Sequence, residues 1–295
     1  MSGRIKGTVY VFICVALWAL IPVVAKTGQT NLDNHQFLFW SSLVSFIVLI
    51  SVAAFMKTLS EIKKYTIKDW GYLISLGLLG TYIYYLFLYL GYAQATGMEV
   101  LVVQYTWPII MVIFSIFILK ERLTYRKAIA IFLGFIGVIT VLTKGKFQNI
   151  DIDNFAVIAL VASGAACFAL FSVLSKNVKF EPLGVTSIYF LSVCIASLLS
   201  MLHFSEFAFP SATEMAPVIL NGTLVNGISY VFWIIALKSA EASYLAPFVF
   251  ITPVLSAIYL IAFFDEPVII AYGIGLACIV GGGFINCLGY KNETV

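Results

Sequence analysis

Residues 94–127 read QATGMEVLVVQYTWPIIMVIFSIFILKERLTYRK. Within them, residues 100–119 are almost wholly apolar and match the roughly 20 residues a helix needs to cross a bilayer. Near the middle of this run sit Gln104, Tyr105, Thr106 and Trp107, followed by Pro108, which removes a backbone donor and interrupts a helix. The run stops abruptly at Lys120, Glu121 and Arg122. A polar-aromatic cluster beside a proline, at the depth of the membrane centre, reads as one wall of a substrate path.

The rest of the chain has the same character. Of 295 residues, 62% are hydrophobic and 11% charged, with a mean hydropathy of +1.03. A soluble domain carries about 25% charged and 45–50% apolar residues, so lipid is the natural solvent of this chain. The net charge of +3 gives no footing for a nucleic-acid partner. Cys14, Cys167, Cys194, Cys278 and Cys287 all lie in apolar runs without a CxxC spacing, as small buried hydrophobes do. No nucleotide loop, metal motif or catalytic constellation is present, so neither an enzyme nor a cofactor is expected.

Ten windows read as membrane helices, near 8–26, 36–56, 70–91, 98–119, 127–143, 155–176, 184–203, 214–237, 243–264 and 268–289. With the N-terminus inside, fourteen of the seventeen Lys and Arg residues fall in inside segments; only Lys26, Lys144 and Lys146 lie outside. That asymmetry is the positive-inside pattern and places both termini in the cytoplasm. The first window follows Arg4 and Lys6 as a signal peptide would, but it pairs with an internal window and is expected to remain in the mature protein.

The pairing is an internal duplication. Residues 16–26, ALWALIPVVAK, lie over residues 166–176, ACFALFSVLSK, with Trp18 opposite Phe168. Further on, Tyr85 lies over Tyr230, Pro108 over Pro253, Glu121 over Glu266 and Gly137 over Gly282. Five spans per copy is an odd number, so the second copy enters the membrane from the opposite side. The expected architecture is all-α: two inverted five-helix repeats, residues 1–147 and 148–295, forming one membrane unit with its substrate site at the repeat interface.

Ala-Leu-Trp-Ala in the first span, Phe-Ile-Leu-Lys-Glu-Arg-Leu-Thr closing the fourth, and the run from Ala236-Leu237-Lys238 through Pro253 to Asp265-Glu266 resemble the EamA-type branch of the drug/metabolite transporter superfamily. Tyr105-Thr106-Trp107-Pro108 is similar to the fourth-span signature of the branch containing aromatic amino acid exporters. The resemblance implies inner-membrane export or exchange of small metabolites through a cavity lined by spans 1, 3, 4, 6, 8 and 9. Many members carry an Arg early in the second span; Trp40-Ser41 stands there in this chain, so no role of that Arg transfers.

The residues nominated for substrate contact are Trp18, Tyr82, Tyr85, Gln104, Tyr105, Trp107, Asn226, Tyr230 and Trp233. Tyr82, Tyr85 and Tyr89 follow helical spacing, and a buried hydroxyl or amide in lipid needs a partner. Pro22, Pro108 and Pro253 are the candidate hinges, and Glu121 and Glu266 the candidate gate charges. The span centres carry no ionisable side chain, while Lys26, Glu99, Lys176 and Glu241 sit near span ends. Proton antiport through a central carboxylate is therefore not expected. The chain reads as a transporter of a small-molecule substrate, amino acids or related compounds, embedded in the lipid bilayer as monomer or homodimer. An exporter of hydrophobic drugs or cations is the alternative within transport; a non-transporting membrane sensor or scaffold is the alternative of another class.

Overall fold

A computed structural model describes residues 3–95, 97–143, 145–146, 155–264 and 270–288. Among these residues the chain is helical and carries no strand. Hydrocarbon offers backbone amides no partner, so an apolar chain in lipid satisfies them within helices. The first half comprises α1 (Gly3–Trp18), α2 (Ile21–Gly28), α3 (Asn34–Phe55), the short α4 (Leu59–Ile62), α5 (Ile67–Gly77), α6 (Tyr84–Gln94), α7 (Gly97–Gln104), α8 (Trp107–Leu119) and α9 (Tyr125–Leu142). The second comprises α10 (Phe155–Lys176), α11 (Pro182–Phe204), α12 (Ala212–Leu220), α13 (Ser229–Ser239), α14 (Ala242–Val249), α15 (Ile251–Phe264) and α16 (Ile270–Leu288).

Among the described residues, seven helical stretches are long and apolar enough to cross a membrane: Gly3–Gly28, Asn34–Phe55, Ile67–Gln94, Phe155–Lys176, Pro182–Phe204, Ala212–Ser239 and Ala242–Phe263. Trp107–Leu119 is a shorter apolar helix. Capping residues mark where several begin. Asp33 with Gln36, Thr66 with Asp69, and Ser211 with Glu214 form reciprocal capping boxes. The Glu181 carboxylate accepts from the Leu183 and Gly184 amides.

The prolines divide helices where the sequence places them. Pro22 sits in the first turn of α2, just after the interruption at residues 19–20, and Pro108 in the first turn of α8 after residues 105–106. Pro253 follows the one-residue break at Phe250, and Pro247 lies inside α14. Ser256 of α15 donates to the Ala19 carbonyl in the α1–α2 interruption at 3.1 Å, so a neighbouring helix satisfies the exposed backbone.

Two wider, π-helical segments, Leu78–Ile83 and Asn221–Ile228, join α5 to α6 and α12 to α13. Gly77 lies where the first begins, and Gly222 lies within the second. Both allow backbone to meet backbone. A methyl group at Gly77 would lie 2.8 Å from the Tyr189 Cα on α11, and one at Gly222 would lie 2.6 Å from the Ser41 carbonyl oxygen on α3. Gly222→Ala is therefore expected to cost about 1–3 kcal/mol. The readout is a lower thermal unfolding midpoint in detergent; an unchanged midpoint would mean the helices do not approach this closely.

The halves interlock rather than stand side by side. α3 packs on α11 and α9 on α16; α1 packs on α13 and α14, and α10 on α6 and α8. The first π segment packs on α11, and the second on α3.

Candidate functional site

An aromatic cage forms where α1, α8, α10 and α13 converge. Trp18 ends α1 and Trp107 begins α8, so both rings are presented at helix interruptions. The Trp18 ring meets Trp233 at 5.3 Å and 62°, and Trp107 meets Trp233 at 5.7 Å and 88°. Phe168 of α10 closes the group, 4.8 Å from Trp107 and 5.9 Å from Trp18, in both cases edge-on. Such tilted arrangements suit the aromatic quadrupole. Both outer indoles are anchored: Trp18 Nε1 donates to Ser229 Oγ at 2.8 Å and Trp233 Nε1 to Ser172 Oγ at 3.1 Å.

Polar groups border the cage. Gln104 Nε2 donates to the Tyr84 hydroxyl at 2.8 Å, and the Tyr92 hydroxyl donates to Gln104 Oε1 at 3.2 Å. Tyr84 stacks on Phe168 with centroids 4.6 Å apart. The Tyr230 hydroxyl donates to the Gly80 carbonyl of the first π segment at 3.2 Å, while Ser45 Oγ donates to the Gly222 carbonyl of the second at 2.8 Å. Trp18, Ile21, Tyr84, Tyr85, Gln104, Tyr105, Trp107 and Phe168 enclose a cavity of about 10 Å³, space for the centre of roughly one water. The cage is thus collapsed on itself in this conformation.

A second polar layer lies beside it. Tyr85 stacks on Tyr89 at 5.3 Å, and Asn221 Nδ2 donates to the Tyr89 hydroxyl at 2.8 Å. Asn226, on the same π segment, is fully buried beside the Tyr89 hydroxyl, and among the described residues neither atom of its amide makes a hydrogen bond of good geometry. Leaving an amide so is costly in an apolar interior.

Both ends of the bundle are tied shut. At one end the Glu121 carboxylate, between α8 and α9, accepts from the Ala242 and Ser243 amides at 3.0 and 2.9 Å, neutralising the N-terminus of α14. Lys176, at the end of α10, approaches Glu121 to 3.8 Å and donates to the Leu237 and Ala240 carbonyls at the end of α13. Lys127, almost fully buried, pairs with Glu241 and donates to Ser243 Oγ at 2.8 Å; Arg4 lies 3.8 Å from Glu241. At the opposite end Glu214 accepts from the Asn31 and Leu32 amides at 2.7 and 2.9 Å, fastening the α2–α3 connection to α12. Gln36 and Trp40 donate there to the Glu206 and Ala208 carbonyls, each at 2.7–2.8 Å.

Of the residues nominated from sequence, Trp18, Tyr85, Gln104, Tyr105, Trp107, Tyr230 and Trp233 come together in or directly against the cage, and Asn226 lies in the adjoining layer. Tyr82 is half-buried, packed against the core, and makes no ring contact with the cage among the described residues. It lies in the π segment, whose wider turn breaks the 3.6-residue period that would align it with Tyr85 and Tyr89. Tyr84 takes the place against Phe168 instead. Pro22 and Pro108 adjoin cage residues, Pro253 lies at the start of α15, and Glu121 is in the end network; Glu266 lies outside the described residues. Ser229 shares helical spacing with Asn226, Tyr230 and Trp233 in the sequence, whereas Ser172 and Glu214 carry no sequence signal beyond small or charged residues near helix ends, and only their distances reveal their partners.

The profile of the EamA-like transporter family matches residues 5–143 and again residues 155–288. The chain belongs to the EamA-like transporter family. This makes it a multi-pass membrane protein of a transporter family rather than of an enzyme family. Among similar sequences, an uncharacterized transporter of Archaeoglobus fulgidus is 25% identical over 95% of this chain and 96% of its own length. The aromatic amino acid exporter YddG of Ancylobacter novellus is 27% identical over 72% of this chain and 74% of its own. An S-adenosylmethionine uptake transporter of Rickettsia prowazekii is 22% identical over 90% and 87%. A solved crystal structure shares the fold with a TM-score of 0.83, covering 97% of both chains at 22% identity.

Proposed function

We propose that the protein is an inner-membrane secondary transporter that exports or exchanges small metabolites, amino acids or related compounds, by alternating access. The observation that carries this reading is the collapsed aromatic cage, bordered by amide and hydroxyl groups and sealed at both ends of the bundle by separate networks. A site that opens alternately to two sides passes through a state closed to both. Trp18, Trp107, Phe168 and Trp233 would hold an apolar or aromatic side chain, and Gln104, Tyr105 and Asn226 its polar end. The named substrates of two relatives, aromatic amino acids and S-adenosylmethionine, both carry an amino acid group.

Ten spans in two inverted repeats, residues 1–147 and 148–295 with both termini cytoplasmic, are part of the same proposal. The double match of the family profile supports it. So does the exchange symmetry of the packing, in which α1 meets α13 as α10 meets α6. In an inverted pair, mates on the dyad must touch each other: Trp18 lies 5.9 Å from its mate Phe168, and Tyr85 lies 6.1 Å from its mate Tyr230. Pro22, Pro108 and Pro253 then act as hinges, Glu121 as a cytoplasmic gate charge, and Glu266 as its outer counterpart. In liposomes preloaded with unlabelled amino acids, purified protein should accumulate the labelled amino acid. Flux no greater than in protein-free liposomes, across a panel of amino acids and related metabolites, would refute the reading.

A further inference from the structure

A groove unconnected with the cage runs along the outside of the bundle between α8 and α9. It encloses about 560 Å³ and is open along its side, where Ile113 and Phe132 are exposed. Ile109, Ile113 and Ile116 form one wall and Phe132 and Phe135 the other; among the described residues Thr106, at the α7–α8 interruption, is the only polar one lining it. From Thr106 to Ile116 the helix rises about 15 Å, half of the roughly 30 Å hydrocarbon thickness. The groove therefore spans one leaflet, from the bilayer centre to a membrane face.

At that face the groove ends on Leu123, in the connection that also carries Lys120 and Arg122; Arg126 follows in the first turn of α9. Among the described residues these three cations form no ion pair, while Lys127 and Lys176 nearby are paired with Glu241 and Glu121. The Arg126 guanidinium lies over the Tyr125 ring, 5.1 Å from its centroid. Lys120 is held in the left-handed region at φ 56°, which ends α8 and turns the connection along the membrane face. An apolar slot one leaflet long with three uncompensated cations at its mouth matches one class of occupant.

We propose that this groove binds an anionic phospholipid, with one acyl chain between α8 and α9 and the phosphate on Lys120, Arg122 and Arg126. Glu121 stands between two of these cations and caps α14, so the bound headgroup fixes the connection that holds this end shut. The lipid is thereby a ligand of the closed conformation.

The test titrates delipidated full-length protein in detergent with phosphatidylglycerol and, separately, phosphatidylcholine, counting bound lipids by native mass spectrometry. The wild-type protein should bind phosphatidylglycerol about tenfold more tightly, given the attraction of each surface cation for anionic lipid. The triple variant K120Q/R122Q/R126Q should lose that preference. Its substitutions are on side chains that make no described hydrogen bond, and size-exclusion behaviour checks its fold. Ala128→Trp, which fills the groove, should lower binding of both lipids while leaving the cations in place. Equal wild-type binding of the two lipids, or an unchanged preference in the triple variant, overturns the proposal. A dimer that dissociates in Ala128→Trp would assign the groove to a second copy of the chain and overturn it too.

Discussion

Replacing Trp107 with alanine is expected to raise the substrate concentration for half-maximal exchange by about 30- to 100-fold. Trp107 contacts Trp18, Phe168 and Trp233, with centroids 6.2, 4.8 and 5.7 Å away, and is 2% exposed. Each aromatic pair is worth about 0.5–1.5 kcal/mol beyond its buried area. A substrate side chain that enters the cage replaces these contacts with its own, so truncating one wall removes a comparable amount from binding. Trp107→Phe keeps a ring in the wall and should stay within about fivefold of wild type. The alanine variant also leaves a cavity worth about 3–5 kcal/mol of stability, so the comparison is made on protein that elutes as a single species. If folded Trp107→Ala exchanges substrate with wild-type half-saturation, the cage is not the binding site.

The second large effect is expected at the sealed end. Glu121→Gln removes the charge that neutralises the α14 N-terminus and leaves Lys176 without its carboxylate. The Glu121 and Lys176 side chains are 7% and 22% exposed. Removing one member of a well-buried pair costs about 3–5 kcal/mol, and partial exposure of Lys176 brings the expectation here to about 2–3 kcal/mol. That is enough to shift a closed population toward an open one by roughly a hundredfold. Cys14 is a native reporter: it is fully buried next to the cage, its thiol donating to the Ser229 carbonyl at 3.3 Å. In Glu121→Gln, a water-soluble thiol reagent should modify Cys14 at least tenfold faster than in wild type, as read by peptide mass. Lys127→Met, which strands Glu241 with Arg4 alone, should act in the same direction. Cys14 modification at the wild-type rate in both variants would show that these charges do not hold the end closed.

Much of the fold is written in local composition. The apolar runs, the charges that end them and the capping pairs Asp33–Gln36 and Ser211–Glu214 fix where helices begin and stop, because lipid leaves the backbone no other partner. Pro22, Pro108 and Pro253 likewise mark interruptions by the absence of an amide proton. Most of the cage was also visible, since Trp18, Gln104, Tyr105, Trp107, Tyr230 and Trp233 are amphipathic groups at depths where lipid-facing positions would be aliphatic. The π segments were not visible. Nothing in Leu78–Ile83 or Asn221–Ile228 distinguishes an i→i+5 turn from an α-turn until the helix opposite approaches closely, so the regular spacing of Tyr82, Tyr85 and Tyr89 in the sequence does not carry through the segment.

The sequence by itself determined an EamA-like membrane protein, where its helices run and which side chains are too polar or too large to face lipid without purpose. These are properties of single segments against a uniform solvent. The tertiary structure decided which of those side chains meet. It placed Phe168 against Trp107, gave the Trp18 and Trp233 indoles a serine each, seated Glu121 on the α14 N-terminus and Glu214 on the Asn31 and Leu32 amides, and left the Asn226 amide without a hydrogen bond of good geometry among the described residues. Contacts of this kind join residues more than sixty positions apart in sequence, and hydrophobicity is non-directional: it drives helices together without specifying which face of one meets which face of another.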